Sequence, residues 1–304
     1  MSTHPFDDLP VRNPPRSKRE LDGWVAKTAR TIGLTDGRLG WILASSIAVG
    51  VLQRATYVDE GPRFLLKGGA YLELRLGLKA RATKDVDTLF RGTFDDFVDV
   101  LDSCLTSWGP LVVSRTEIEI IDDVPRVIKP RRFFMVLSVN GKTWRKVKIE
   151  VSADEAGVGR SFDNSPAASL AHFGLPSPGA LAGIAVDDQV AQKLHACTDP
   201  NVPPGSVNRR ARDVVDLLLL RDAFYPGNSE LPALRLACVA LFESRAAECP
   251  LFGLPPRTWP PVVVAHANWV ADFARACSEA DVDRDLDDSL RQVNGWIQDI
   301  DAAR

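Results

Sequence analysis

The chain of 304 residues lacks the features that would place it outside the cytosol. Its five cysteines are odd in number and show no Cys-x-x-Cys spacing, which argues against a disulfide framework and against a zinc site. The longest apolar stretch, Trp41 to Leu52, is too short to span a bilayer and is interrupted by Ser45, Ser46 and Gly50. The Pro-rich, charged N-terminus has no apolar signal-peptide core. These absences predict a cytoplasmic protein with no membrane partner.

An excess of charge of one sign is also missing. The 37 Lys and Arg residues nearly balance 40 Asp and Glu residues, which gives a formal net charge of −3 at pH 7. The whole chain therefore has no general attraction to nucleic acid, and any basic surface must be local. No internal repeat is visible, and the GxxxxGK[ST] spacing of a Walker loop is absent.

The order of the apolar patterns predicts an α/β (α+β) fold, with a mixed sheet core and a helical C-terminal half. We expect residues 1–60 to form an N-terminal arm and helices packed on the core, 61–180 the core, and 181–304 a helical domain. Residues 152–180 and 198–208 are rich in Gly, Pro or Ser and are predicted loops. The predicted helices span 18–32, 36–55, 94–108, 186–197, 209–224, 231–246, 261–278 and 284–300.

The stretch 64–90 organises the chain. Phe64, Leu65 and Leu66 predict a buried strand that ends abruptly at Lys67-Gly68-Gly69, and a short helix follows. In the next predicted strand, Lys84–Phe90, Asp85 and Asp87 are two residues apart and share one face. Two adjacent carboxylates repel each other, and a divalent metal is the natural compensating cation. The alternative is a pair of solvated aspartates on an exposed strand.

Four short motifs occur in a fixed order over residues 64–217. They are Lys67-Gly68-Gly69, the run from Arg81 to Asp87, the run from Lys193 to Ala196, and the run from Arg212 to Leu217. Together they resemble the core signature of nucleotidyltransferase-fold proteins and are most similar to the AbiEii-type toxins, which include the mycobacterial MenT toxins. The family often has serine where Gly69 and Thr83 stand here.

The resemblance implies a set of roles for named residues. It implies that the catalytic residues are Lys67, Asp85, Asp87, Lys193 and Asp213. It implies a nucleotide triphosphate site formed by Lys67, Gly68, Gly69, Arg81, Thr83, Lys84 and Lys193. Magnesium is the implied cofactor, with Asp85 and Asp87 as ligands and Glu150 as a third acidic residue, placed by strand phase.

Each of these residues also has a plain structural interpretation. The glycines suit any tight turn, Lys67 suits a solvated surface, and Arg81 suits an ion pair with a carboxylate. Asp213 and Asp216 are three apart on a predicted helix, where local pairing with Arg209 and Arg212 is common. Phosphorylation of Thr83 is a further hypothesis, because it would place negative charge beside the carboxylates.

A local basic region lies between Arg126 and Lys148, where eight basic and no acidic residues occur. Phe133, Phe134 and Trp144 are interleaved with these charges, a composition that suits an RNA backbone and unpaired bases. The alternative is an exposed hairpin with ordinary solubilising charges. The predicted RNA-binding residues are Arg131, Arg132, Lys142, Arg145 and Lys146.

The function implied by the resemblance is transfer of a nucleoside monophosphate from an NTP to the 3′ end of RNA. A tRNA acceptor end would be the acceptor, translation would stop, and a cognate antitoxin protein would relieve growth arrest. Two alternatives stay open. One is a nucleotidyltransferase that modifies a protein or a small molecule, and the other is a non-catalytic nucleotide-binding module that acts through a partner.

Overall fold

The computed structural model describes residues 4–57, 60–200 and 207–303. Within these ranges the chain forms nine α-helices and ten strands. Residues 1–3 of the predicted arm and residues 201–206 of the predicted loop lie outside the described residues. No helix in the described ranges combines the length and apolar character that crossing a membrane requires.

A hydroxyl residue caps the N-terminus of each of the first two helices. The side chains of Ser17 and Thr35 accept hydrogen bonds from the backbone N–H groups of Glu20 and Arg38, which caps helices α1 and α2. The helices are α1 Lys18–Thr31, α2 Asp36–Leu52, α3 Gly68–Leu76, α4 Phe97–Cys104, α5 Val186–Cys197, α6 Ala211–Phe224, α7 Leu231–Glu248, α8 Trp269–Glu279 and α9 Leu286–Ala302.

The strands build one large mixed sheet and one separate small pair. The large sheet has the order β5-β7-β8-β4-β3-β10-β9, with β6 also pairing with β7. Among the strand pairs within the described residues, only β4–β8 and β3–β10 are parallel. The strands are β1 Thr56–Tyr57, β2 Gly61–Pro62, β3 Phe64–Lys67, β4 Asp85–Phe90, β5 Leu111–Arg115, β6 Glu119–Ile120, β7 Arg131–Val139, β8 Lys142–Ala153, β9 Phe162–Pro166 and β10 Ala180–Ile184.

This architecture confirms the predicted fold class, with two corrections. The predicted loop 152–180 contains β9, and β10 joins the same sheet beside β3. Strand β9 has the sequence Phe-Asp-Asn-Ser-Pro, so it is held by its ladder with β10 and not by local propensity. The predicted helix at 261–278 begins only at Trp269, and the non-helical segment before it includes Pro260 and Pro261, which lack backbone N–H donors.

The side chains of strand β8 alternate between the two faces of the sheet. Val147, Ile149 and Val151 are buried on the face that packs against α1 and α2. The alternate residues, from Lys146 to Ser152, project from the opposite face, as strand geometry requires. A bulge interrupts the β7–β8 ladder between Leu137 and Ser138, towards the tip of the hairpin.

Candidate active site

A glycine corner forms where β3 passes into α3. Gly68 has φ +67°, a conformation that side chains with a Cβ rarely adopt. A Cβ atom on Gly68 would also collide with Asp87 Oδ2, and one on Gly69 would lie 2.9 Å from Thr83 Oγ1. The corner therefore has to be glycine because the predicted acidic strand packs directly on its backbone.

A row of charged side chains crosses four strands beside this corner. Lys67 of β3 stands opposite Asp87 of β4, Asp87 stands opposite Glu150 of β8, and Glu150 stands opposite Arg132 of β7. Lys67 Nζ donates to Ser152 Oγ at 2.7 Å, and Arg132 Nη2 lies 2.9 Å from Glu150 Oε1. We call these four residues the charged row.

Burial and neighbouring charges shift two pKa values in the charged row. Burial raises the pKa of Asp87, and the neighbouring Asp85 carboxylate raises it further, while Lys67 opposes the shift. Burial lowers the pKa of Lys67, and Asp87 opposes that change. The paired strands thus hold an acidic group that favours an additional cation nearby.

Asp85 lies two residues before Asp87 on β4, so the two side chains project from the same face. Lys148, opposite Asp85 in the β4–β8 ladder, places its Nζ 2.9 Å from Asp85 Oδ2. The hydroxyl of Thr83 donates to Asp85 Oδ1 at 3.3 Å. Burial alone would raise the pKa of Asp85, but the ammonium of Lys148 brings it below its ordinary value.

The chemistry of Asp85 and Asp87 fits a magnesium ion. Mg²⁺ prefers carboxylate oxygens and commonly takes one or two of them together with water and substrate phosphates. Asp87 forms no ion pair with a described residue, and the repulsion that raises its pKa would be relieved by a divalent cation.

The third acidic residue is arranged differently. Among the described residues, no group of three or more His, Cys, Asp or Glu side chains converges in a way that would hold a metal. The structure therefore does not assemble Asp85, Asp87 and Glu150 into one ligand set. Glu150 instead pairs with Arg132 at 2.9 Å and with Lys148 at 3.2 Å.

A second cluster of charges is buried between α5, α6 and the segment before β4. Lys193 Nζ lies 2.7 Å from Asp213 Oδ1 and 2.7 Å from Asp216 Oδ2. Arg81 grips the same Asp216 through two guanidinium nitrogens, at 3.1 Å from Oδ1 and 2.9 Å from Oδ2. These four residues are the buried cluster, and Asp216 is fully inaccessible to solvent.

The pKa values in the buried cluster move in the directions expected of satisfied ion pairs. Burial of Asp213 would raise its pKa, but Lys193 and Arg210 together bring it below its ordinary value. Burial of Lys193 would lower its pKa, but Asp213 and Asp216 raise it. Asp213 and Lys193 therefore stay charged at neutral pH.

Two contacts join the buried cluster to the sheet. Gln189, one turn before Lys193 on α5, accepts from Gly68 N and donates to Gly68 O, each at 3.2 Å. Arg210 lies 3.6 Å from Asp213 Oδ2 and also acts electrostatically on Asp87. Helix α5 therefore docks directly on the glycine corner, which brings Lys193 to the same side of the sheet as Lys67.

The family of this chain follows from comparison with known proteins. The family model described as "Nucleotidyl transferase AbiEii toxin, Type IV TA system" matches residues 50–301, far more than half of the chain. The chain belongs to the AbiEii family. This confirms the resemblance found in the four motifs, and the match extends beyond them into the C-terminal helices.

Solved structures with similar backbones include proteins from bacteria and a fungus. MenT4, a nucleotidyltransferase toxin from Mycobacterium tuberculosis, is 16% identical with a TM-score of 0.45, over 93% of this chain and 99% of its own. JHP933 from Helicobacter pylori is 14% identical with a TM-score of 0.43, over 85% and 91%. An antigenic nucleotidyltransferase-like protein from Paracoccidioides brasiliensis is 17% identical with a TM-score of 0.34, over 80% and 96%. None of the curated proteins matches the chain in sequence.

The structure of this AbiEii-family chain brings most of the predicted residues together. Lys67, Gly68, Gly69, Thr83, Asp85 and Asp87 meet at the glycine corner, and Gln189 and Arg210 connect them to Lys193 and Asp213. Lys84 is exposed before β4, and Arg81 is buried and paired with Asp216; their contacts with nucleotide stay predictions. The Gly68 N–H is likewise occupied by Gln189.

The predicted RNA-binding residues divide between the two faces of the sheet. Arg131 stacks over the Phe94 ring, and Arg145 pairs with Asp22 of α1 at 3.1 Å, so both face the core side. Lys142 and Lys146 are exposed, and Arg132 lies in the charged row. The period-2 alternation of β7 would have separated Arg131 from Arg132, but the prediction pooled all basic residues of the segment.

Several residues of the site carried no motif that marked them. Lys148 is placed by the register of β8 against β4, and Gln189 by the docking of α5 on Gly68. Asp216 lies within the run from Arg212 to Leu217, but the resemblance implies no role for it, and only local pairing on the helix is predicted. Ser152 and Arg210 contact Lys67 and Asp213, respectively. Only their spatial partners reveal their positions.

Proposed function

We propose that this AbiEii-family chain transfers a nucleoside monophosphate from an NTP to the 3′ hydroxyl of an RNA, with a tRNA acceptor end as the acceptor. The observation that carries the proposal is the glycine corner packed on Asp87, with Asp85, Lys67 and the docked helix α5 around it. This arrangement offers backbone amides and ammonium groups to phosphates beside two carboxylates.

The reaction forms one bond and breaks one bond at the α-phosphorus. The RNA hydroxyl oxygen attacks this phosphorus, the bond to the β-phosphate breaks, pyrophosphate leaves, and the hydroxyl proton is released to water. Magnesium held by Asp85 and Asp87 would offset negative charge on the phosphates. Lys67 and Lys193 would hold the triphosphate in line, with Gly69 and the amides after it facing its oxygens.

Asp213 is better suited to orienting Lys193 than to accepting a proton. Its carboxylate already pairs with Lys193 at 2.7 Å and with Arg210 at 3.6 Å. These cations hold its pKa below the ordinary value, which makes it a weak base. We therefore propose that Asp213 fixes the position of the Lys193 ammonium.

The face of β7 and β8 beside the site suits a single-stranded RNA end. Phe134 is 37% exposed on the same face as Lys148, and the exposed Lys146 continues that face towards the hairpin tip, whereas Lys142 stands opposite the buried Val139 on the other face. An aromatic ring offers a stacking surface to an unpaired base, and lysines follow a phosphate backbone. The chain belongs to a family of toxins of type IV toxin–antitoxin systems, which supports a cognate antitoxin as its protein partner.

One assay tests the proposal. Purified protein and magnesium are incubated with each α-labelled NTP in turn, in the presence of total tRNA or of cell lysate. Label is expected in RNA, and periodate oxidation of the RNA 3′ diol beforehand should prevent it. Asp85→Asn is the inactive control.

The distribution of label separates the alternatives. Label in protein or in a metabolite would identify a different acceptor. Nucleotide binding without incorporation into any fraction would identify a non-catalytic module. Undiminished labelling by Asp85→Asn would contradict the assignment of the carboxylates.

A further inference from the structure

Asp85 already has a positively charged side chain beside it. Lys148 Nζ lies 2.9 Å from Asp85 Oδ2 and 3.2 Å from Glu150 Oε1, so one ammonium bridges carboxylates on two neighbouring strands. The β4–β8 register sets this contact, because Lys148 stands directly opposite Asp85. The three side chains are 26–31% exposed, so ions in solution can reach them.

Lys148 remains charged in this position. Burial alone would lower its pKa, but Asp85 and Glu150 raise it above the ordinary value. The ammonium therefore competes with any divalent cation for the same Asp85 oxygen. Asp87 differs, because it makes no ion pair with a described residue.

The triphosphate of an NTP would change this balance. Its negative charge attracts the Lys148 ammonium away from Asp85 and supplies phosphate oxygens to a metal that arrives with it. We propose that Lys148 is a positioning residue that blocks Asp85 in the nucleotide-free enzyme, so that divalent metal and nucleotide are taken up together. The inference rests on the proposed function, since it assigns the metal to Asp85 and Asp87.

The test measures Mn²⁺ affinity of the nucleotide-free, full-length protein from the free-ion signal in electron paramagnetic resonance. Lys148→Met should bind Mn²⁺ more tightly by on the order of tenfold, because a positive charge about 3 Å from the ligand oxygen is removed. Lys148→Arg, which keeps the charge, should bind Mn²⁺ as the wild type does.

Lys146→Met is the matched control. Lys146 lies two residues earlier on the same face of β8, is exposed, and forms no ion pair with a described residue. Its removal changes the net charge equally but should alter Mn²⁺ affinity by less than about twofold, since exposed charges at a distance are screened. With a saturating non-hydrolysable NTP analogue, the difference between Lys148→Met and wild type should shrink.

Asp85→Asn separates failure of the inference from failure of the proposed site. If Asp85→Asn weakens Mn²⁺ binding but Lys148→Met does not strengthen it beyond Lys146→Met, the inference alone is overturned. If neither substitution changes Mn²⁺ affinity, both the inference and the metal assignment are overturned. Tighter Mn²⁺ binding by Lys148→Met, found together with a wild-type protein that transfers no nucleotide, would support the inference and count against the proposed reaction.

Discussion

The charged row and the buried cluster contain similar residues in opposite electrostatic conditions. In the buried cluster, Asp216 is fully buried and receives contacts from both Arg81 and Lys193. In the charged row, Asp87 is crowded by Asp85 and has no ion-pair partner among the described residues. A fully paired cluster fixes geometry, whereas an acidic group without its counter-charge prepares a place for one. We infer that the buried cluster fixes the position of Lys193 beside the site and that the charged row is where an additional cation would bind.

The largest effect is expected from breaking the buried cluster. Asp216→Asn would leave the charges of Arg81 and Lys193 without their shared partner, and loss of one partner of a buried ion pair costs about 3–5 kcal/mol. The free energy of unfolding, measured in urea, should fall by that amount.

The control for this substitution lies on the same helix. Asp222 pairs with Arg221 and Arg284 but is 46% exposed, so Asp222→Asn should cost less than about 1 kcal/mol. Equal losses for the two variants would show that the buried cluster adds no special support.

Removing the Asp87 carboxylate from the charged row should have opposite effects on activity and on stability. Asp87→Asn is expected to reduce label transfer by more than about 100-fold, because a proposed metal ligand is lost. The same substitution should raise the free energy of unfolding at pH 7.

The sign follows from the raised pKa of Asp87. A carboxyl group whose pKa is raised on folding stabilises the folded state below its ordinary value of 3.8, and this contribution is lost as the pH rises through the folded-state value. The gain from Asp87→Asn should therefore be present at pH 7 and diminish towards pH 4. For Asp213, whose pKa is lowered, Asp213→Asn should destabilise at pH 7, and a gain there would reverse the comparison.

A smaller effect is expected at the glycine corner, where strain and crowding can be separated. Gly68 and Gly33 both have positive φ, +67° and +74°, but only Gly68 faces a neighbour at the position of a Cβ atom. Gly33→Ala should cost about 1–2 kcal/mol from the left-handed backbone alone. Gly68→Ala should cost more and also reduce transfer, because the new methyl group displaces the Asp87 carboxylate. Equal unfolding energies and unchanged transfer for both variants would refute the packing argument.

The local part of the site could be predicted from sequence, and the pairing across strands could not. Strand alternation puts Asp85 and Asp87 on one face, and an abrupt Gly-Gly after an apolar run marks a corner. Nothing in the neighbourhood of Lys148 indicates that it stands opposite Asp85, because that register is set by β4 and β8 together.

The same limit explains the elements that were missed. Strand β9 has little strand propensity and depends on β10, whose residues 181–184 fall at the start of the segment predicted to be helical. Asp216 is unremarkable among helical residues until Arg81, far earlier in the chain, is brought to it. By contrast, the separation of Arg131 from Arg132 was available from the alternation of Phe133 and Met135 and needed only consistent use of that period.

The bulge between Leu137 and Ser138 lies between the hairpin tip and the charged row. Changes in the length of the turn can be absorbed at this irregularity, so the tip can vary in length without moving the strands beyond the bulge. On the other side of the bulge, a one-residue deletion would rotate Lys148 into the apolar interior and expose Ile149. The hairpin thus combines a tip that tolerates changes in length with a base whose strand register is fixed.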